Sequence, residues 1–136
     1  MVRLIMGGKG SGKTKQLIEM INNAAKDEPG NVVCIEPSRD MMYDIHYHIR
    51  LIDAKEYKLT NYDLFRGFIS GLYAGNYDIS HVFIDHLVKM MGREVDQATE
   101  AFLNWLDYFG ERNGIKFTVT ISADESVATD GMRKFL

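Results

Sequence analysis

The sequence predicts an α/β fold: a single domain over residues 1–136, in three layers, with a mostly parallel five-stranded sheet between helices. Three observations carry that expectation. Short apolar runs alternate with segments whose apolar residues recur at helical spacing, and no linker is long enough to separate domains. The first apolar run stops abruptly at glycines, in "GGKGSGKTK", Gly7 to Lys15. Parallel strands need a crossover, usually a helix, so alternating strand and helix is the pattern expected of a parallel sheet.

The run "VRLIM", residues 2–6, reads as a buried strand entering a tight turn. Leu17, Ile18, Ile21, Ala24 and Ala25 then follow at helical spacing until "KDEPGN" breaks the pattern. "NVVCIE" (31–36), with three β-branched residues and Pro37 after it, is a second strand. Asp40 is expected to cap a helix whose Met42, Ile45 and Ile49 face inward. "EYKLT" (56–60) is taken as the third strand, being short and followed at once by a helix from Asn61. That helix places Leu64, Phe65, Phe68, Ile69, Leu72 and Tyr73 on one face, with Gly67 and Gly71 expected to allow close packing. "HVFID" (81–85) is a strand; from Val95 a helix buries Ala98, Ala101, Phe102, Trp105, Leu106 and Phe109, and ends around Gly110 to Gly114. "KFTVTIS" (116–122) is the last strand, before a short tail of mixed charge.

A chain of 136 residues that is 46% hydrophobic has enough apolar material for one core. Its net charge of -3 supplies no global basic field, so neither an obligate nucleic-acid binder nor an anionic-membrane binder is indicated. The lone cysteine, Cys34, excludes an intramolecular disulfide and, within "NVVCIE", reads as a buried inert thiol. No apolar run is long enough for a signal peptide or a membrane span. A soluble, cytoplasmic protein is the expectation.

Gly7, Gly12, Lys13 and Thr14 satisfy G-x-x-x-x-G-K-[ST], between a strand and a helix as the motif requires. Average residue usage would produce those fixed positions in a chain this long roughly once in two hundred. Glycines at 7, 8, 10 and 12 let the backbone approach an anion and point consecutive N–H groups at it. The whole stretch, Gly7, Gly8, Lys9, Gly10, Ser11, Gly12, Lys13, Thr14 and Lys15, is therefore the candidate phosphate cradle. Lys13 would neutralise the β- and γ-phosphates, and the Thr14 hydroxyl would ligate Mg²⁺. Asp85, ending "HVFID", is the carboxylate expected to organise that ion, through water. "HYH" (46–48), His81 and His86 could suggest another metal, but on a helix positions 46 and 48 point apart.

With that loop and Asp85, the chain resembles the P-loop NTPases, and among them those with a RecA-like core, from Val2 to about Ser122. The resemblance implies that Glu36, at the end of its strand, activates the attacking water, and that Ser122 or Thr120 reports the γ-phosphate. It also implies that the last strand inserts between the first and the Asp85 strand, giving the order 3-2-4-5-1. The first strand would then lie near an edge, to be covered by the tail, a second copy or a larger protein. GTPases match only at the loop, since Asp85 is followed by "HLV" and N-K-x-D is absent, so ATP is the expected nucleotide. A thymidine-kinase-like reading lacks the cysteines of a zinc lasso, and the arginines are scattered, Arg93 and Arg133 being the most available to reach a neighbouring subunit. The expected function is a Mg²⁺-dependent ATPase or ATP-driven switch. An ATP-sensing interaction module and a small-molecule kinase are the alternatives.

Overall fold

A computed structural model describes residues 1–136. Its centre is a five-stranded sheet of β1 (Val2–Met6), β2 (Asn31–Glu36), β3 (Arg50–Asp53), β4 (Ile79–Ile84) and β5 (Lys116–Ile121). The order is β1-β5-β4-β2-β3 and every pairing is parallel. Read from the other edge, this is the order 3-2-4-5-1. All five carboxyl ends consequently open on the same side of the sheet.

The helices are α1 (Lys13–Asp27), α2 (Tyr62–Gly75), α3 (Leu87–Met91) and α4 (Gln97–Asn113), followed by short 3₁₀ turns at Glu125–Val127 and Asp130–Phe135. Local chemistry fixes where two of them start. Asn61 Oδ1 accepts from Leu64 N at 2.8 Å, and Asp96 and Thr99 cap α4 reciprocally, at 3.1 and 3.2 Å.

Alternation along the strands divides the apolar residues between two cores. Val33, Ile35, Val82, Ile84, Phe117, Val119 and Ile121 pack with α2 and α4 in a cluster of 26 buried residues. Val32, Cys34 and Phe83 face the other way, onto Leu17 and Ile21 of α1, in a cluster of 8. One face therefore carries most of the hydrophobic stabilisation, at about 1.5–3 kcal/mol for each large side chain fully buried. The other is a thin cover formed by α1 and the segment after β2.

That segment differs from expectation. Residues 39–49 form successive turns rather than a helix, with Met42 N, Asp44 N and Ile49 N each bonding three residues back. The cause is tertiary: Asn22 of α1 donates to Asp44 O at 3.0 Å and accepts from His46 N at 2.8 Å, replacing the ladder that a helix would need. Met41 and Ile49 turn inward, while Met42 is exposed and Ile45 half-buried. The third strand is Arg50–Asp53, not 56–60. Asp53 Oδ1 stops it by accepting from Lys55 N at 2.9 Å, and the chain turns through residues 54–59.

Smaller differences follow from packing. Leu64 and Ala101 are exposed, and Thr99 and Leu103 are buried in the α4 face instead. A side chain at Gly67 or Gly71 would meet open space, so neither glycine serves close packing. The fourth strand starts two residues early, at Ile79, and Asp85 lies just past its end. In the tail, Met132 and Phe135 join the larger core beside β1, and Thr129 Oγ1 donates to Glu100 at 2.6 Å. The tail forms no backbone hydrogen bond to β1, whose strand pairing is with β5 alone. No helix is long and apolar enough to cross a membrane.

Candidate functional site

β1 delivers the chain to Gly7, whose N–H donates to Ile121 O at 3.4 Å and ties the loop to β5. Gly10 (φ 84°) and Gly12 (φ 82°) are left-handed, a conformation that side-chain-bearing residues adopt at a cost. Ser11 N closes a tight turn onto Gly8 O at 3.2 Å, and α1 starts at Lys13. The N–H groups of Gly8, Lys9, Gly10, Gly12, Lys13 and Thr14 donate to no acceptor in the chain. Lys13 is only 7% exposed, yet it makes no ion pair and no side-chain hydrogen bond. The loop thus presents a lysine without an ion pair and a row of solvent-facing N–H donors at the start of a helix, where the dipole is positive. Donors and a cation in this arrangement favour an anion over a cation. Lys9, Ser11, Thr14 and Lys15 are exposed around it.

The strand ends bring the carboxylates to the same place. Cys34 and Phe83 point toward α1, so Glu36 and Asp85, two residues further along, point that way too. Ile35 pairs with Ile84 in register, and Asp85 N donates to Ile35 O at 2.9 Å, setting the two acids side by side. On β5, Thr118, Thr120 and Ser122 share that face.

Asp85 is 4% exposed and held on both oxygens. Thr120 Oγ1 donates to its Oδ1 at 2.5 Å, and His86 Nε2 lies 3.4 Å from its Oδ2. Thr120 in turn accepts from His86 N at 2.9 Å, and His86 Nδ1 meets Ser122 Oγ at 2.6 Å. The result is a chain of contacts, Thr120–Asp85–His86–Ser122, that fixes the Asp85 carboxylate. His86 makes these contacts from the left-handed region, at φ 55°. Sequence reasoning missed this role and noted His86 as a candidate ligand for another metal. The alternation in "TVTIS", which places Thr118, Thr120 and Ser122 on one face, was the available signal.

Glu36 is 1% exposed. Its Oε1 accepts weakly from Ser38 Oγ and Met41 N, both at 3.4 Å, while its Oε2 is buried without a partner. Burial pushes its pKa above the ordinary glutamate value and the Asp85 charge adds to this, while hydrogen bonds from Met41, Asp40 and Ser38 pull the other way. Cys34, fully buried behind the two acids, has its thiol pushed well up by the same desolvation.

The donor set fits Mg²⁺ in kind, being a threonine hydroxyl and a carboxylate, both hard oxygen ligands. Since both Asp85 oxygens already have partners, contact through water preserves the chain of contacts that direct ligation would break. The histidines do not converge. His46, Tyr47 and His48 stack in the 39–49 turns, with the two imidazole centroids 5.0 Å apart, and His46 Nδ1 already accepts from His48 N at 3.2 Å. His81 lies away on β4 against Thr118 Oγ1 at 2.8 Å, and no group of three or more metal-binding side chains is placed to hold an ion. Arg93 pairs with Asp96, and Arg133 donates to Ala128 O at 3.2 Å.

No protein-family model matches the chain, and no curated protein matches it in sequence. In fold, the chain is similar to the flagellar accessory protein FlaH of Methanocaldococcus jannaschii. The superposition has a TM-score of 0.55 at 13% identity and covers 93% of this chain and 64% of FlaH. At that identity the likeness carries the fold and nothing of the activity. The RecA-like arrangement of the sheet agrees with it.

Proposed function

We propose that this chain binds ATP with Mg²⁺ at the Gly7–Lys15 loop and hydrolyses it slowly, as an ATPase or ATP-driven switch. One observation supports the reading: Lys13, which forms no ion pair, opens α1 after a glycine loop whose N–H groups have no acceptor in the chain. The loop holds the phosphates, Lys13 screens the charge on their terminal oxygens, and the Thr14 hydroxyl with Asp85 holds the metal ion. When bound, Mg²⁺ supplies charge neutralisation across the phosphates. Glu36 orients the attacking water and takes its proton, for which a free Oε2 and a pKa raised by burial suit it. Ser122, bonded to His86, reads the γ-phosphate position. The absence of guanine and switch motifs favours ATP over GTP.

The burial of Glu36, at 1% exposure, favours a second reading in which the chain senses ATP and scarcely turns it over. Phosphate release from Mg²⁺-ATP separates the two. In the ATPase, Lys13→Ala loses binding, and Glu36→Gln keeps binding while turnover falls by about a hundredfold or more. Binding without release by the wild type selects the sensor, and no ATP binding by the wild type ends both. The unpaired outer edge of β1 would receive a second copy or a larger protein, in which case specific activity rises with protein concentration.

A further inference from the structure

A second cleft opens at the carboxyl ends of β2 and β3, on the sheet face opposite the phosphate loop. It measures about 250 Å³, and Ala54, Leu59 and Met90 give it an apolar floor, Ala54 and Leu59 being part of the larger core. Three lysines, Lys55, Lys58 and Lys89, line the same space. The loop that contributes two of them is a closed turn: Lys58 N donates to Lys55 O at 3.2 Å, and Leu59 N to Ala54 O at 3.1 Å. Lys58 itself is left-handed, at φ 54°, a cost that a glycine or asparagine there would avoid.

What marks this cleft is the gathering of three lysines around one apolar floor. None of the three forms an ion pair, so their charge is not neutralised within the chain. Three like charges around one apolar cavity repel each other, and an anion within it relieves all three. The cavity suits a small molecule, near the lower end of ligand-sized pockets. Its apolar floor asks for an apolar body rather than a bare inorganic ion.

We propose that this cleft binds a small organic anion, a carboxylate or phosphate head on an apolar body, at a site separate from the phosphate loop. The cleft also touches both catalytic strand ends through the chain: Pro37 in its wall follows Glu36 directly, and Lys89 stands three residues after His86. An occupant is therefore placed to bear on the segments that follow Glu36 and Asp85, as an effector.

The test is an amide NMR titration of the whole chain with phenyl phosphate, beside benzyl alcohol as the uncharged counterpart. Saturable shifts are expected at Ala54–Thr60, Lys89 and Met90, with benzyl alcohol binding more weakly and Lys58→Gln with Lys89→Gln weakening phenyl phosphate about tenfold. Both lysines are exposed, so the double variant retains the dispersed spectrum of a folded chain. Shifts absent from these residues, equal binding of the uncharged probe, or an affinity unchanged in the double variant would overturn the proposal. Amides of Gly7–Lys15 report separately in the same spectra, so the nucleotide reading and this one fail independently.

Discussion

Glu36 is a buried carboxylate with one oxygen left without a partner. Because Glu36 has a raised folded-state pKa, its contribution to stability is present below the unfolded value near 4.5 and lost as pH rises through the folded one. Glu36→Gln is therefore expected to be more stable than the wild type in urea at pH 7, with the gap closing at pH 4. A gap of constant size would show that the carboxylate carries no burial penalty. His86 makes a second residue-level prediction. His86→Gly and His86→Ala both lose the bonds to Asp85 and Ser122, but only glycine removes the cost of φ 55°. The glycine variant should exceed the alanine variant by about 1 kcal/mol in chemical denaturation, and both should lose turnover. Equal stabilities would contradict the left-handed assignment. The positions of the glycine loop between β1 and α1, and of Asp85 just past β4, were legible from sequence because each ends a short apolar run. The partners of Asp85 were not, because Thr120 and His86 meet only when β4 and β5 are paired.

Among the elements, those with local signals were read well and those decided by distant contacts were not. α2 and α4 announce themselves through Asn61 and Asp96 and through broad apolar faces. The 39–49 segment has helical spacing, yet Asn22 holds it as turns through bonds that no local pattern can show. With that helix gone, the chain reaches the sheet earlier, and the third strand moves from 56–60 to Arg50–Asp53. Asn22→Ala should cost about 1–2 kcal/mol and raise amide exchange at Asp44, His46 and Ile49 ahead of global unfolding. Unchanged exchange there would mean that the turns hold themselves.

At the scale of the molecule, the unequal cores put the proposed site on the thinner face, where α1 and 8 buried residues form the cover. Ligand binding at the start of α1 would stabilise that cover, so ATP at a hundred times its dissociation constant should add about 2.7 kcal/mol. Acid should act on the whole fold through His81, whose pKa burial lowers to about 4, with Glu28 opposing and Lys116 and the N-terminus reinforcing the shift. That depressed value makes a stability contribution present above 6.5 and lost as pH falls from 6.5 toward 4, by roughly 3 kcal/mol at most. His81→Gln should flatten this part of the pH–stability curve, and a curve of unchanged slope would contradict the assignment. The strand order followed from the family resemblance and agrees with the observed sheet, since crossover rules leave a parallel sheet few arrangements.

The most direct test of the central claim is calorimetric titration of the chain with Mg²⁺-ATP, beside Lys13→Ala. Saturable one-to-one binding by the wild type, weakened at least about tenfold in Lys13→Ala, is the result that Lys13 at the head of α1, after a loop of free N–H donors, predicts. No binding by the wild type, or equal binding by both proteins, would contradict it.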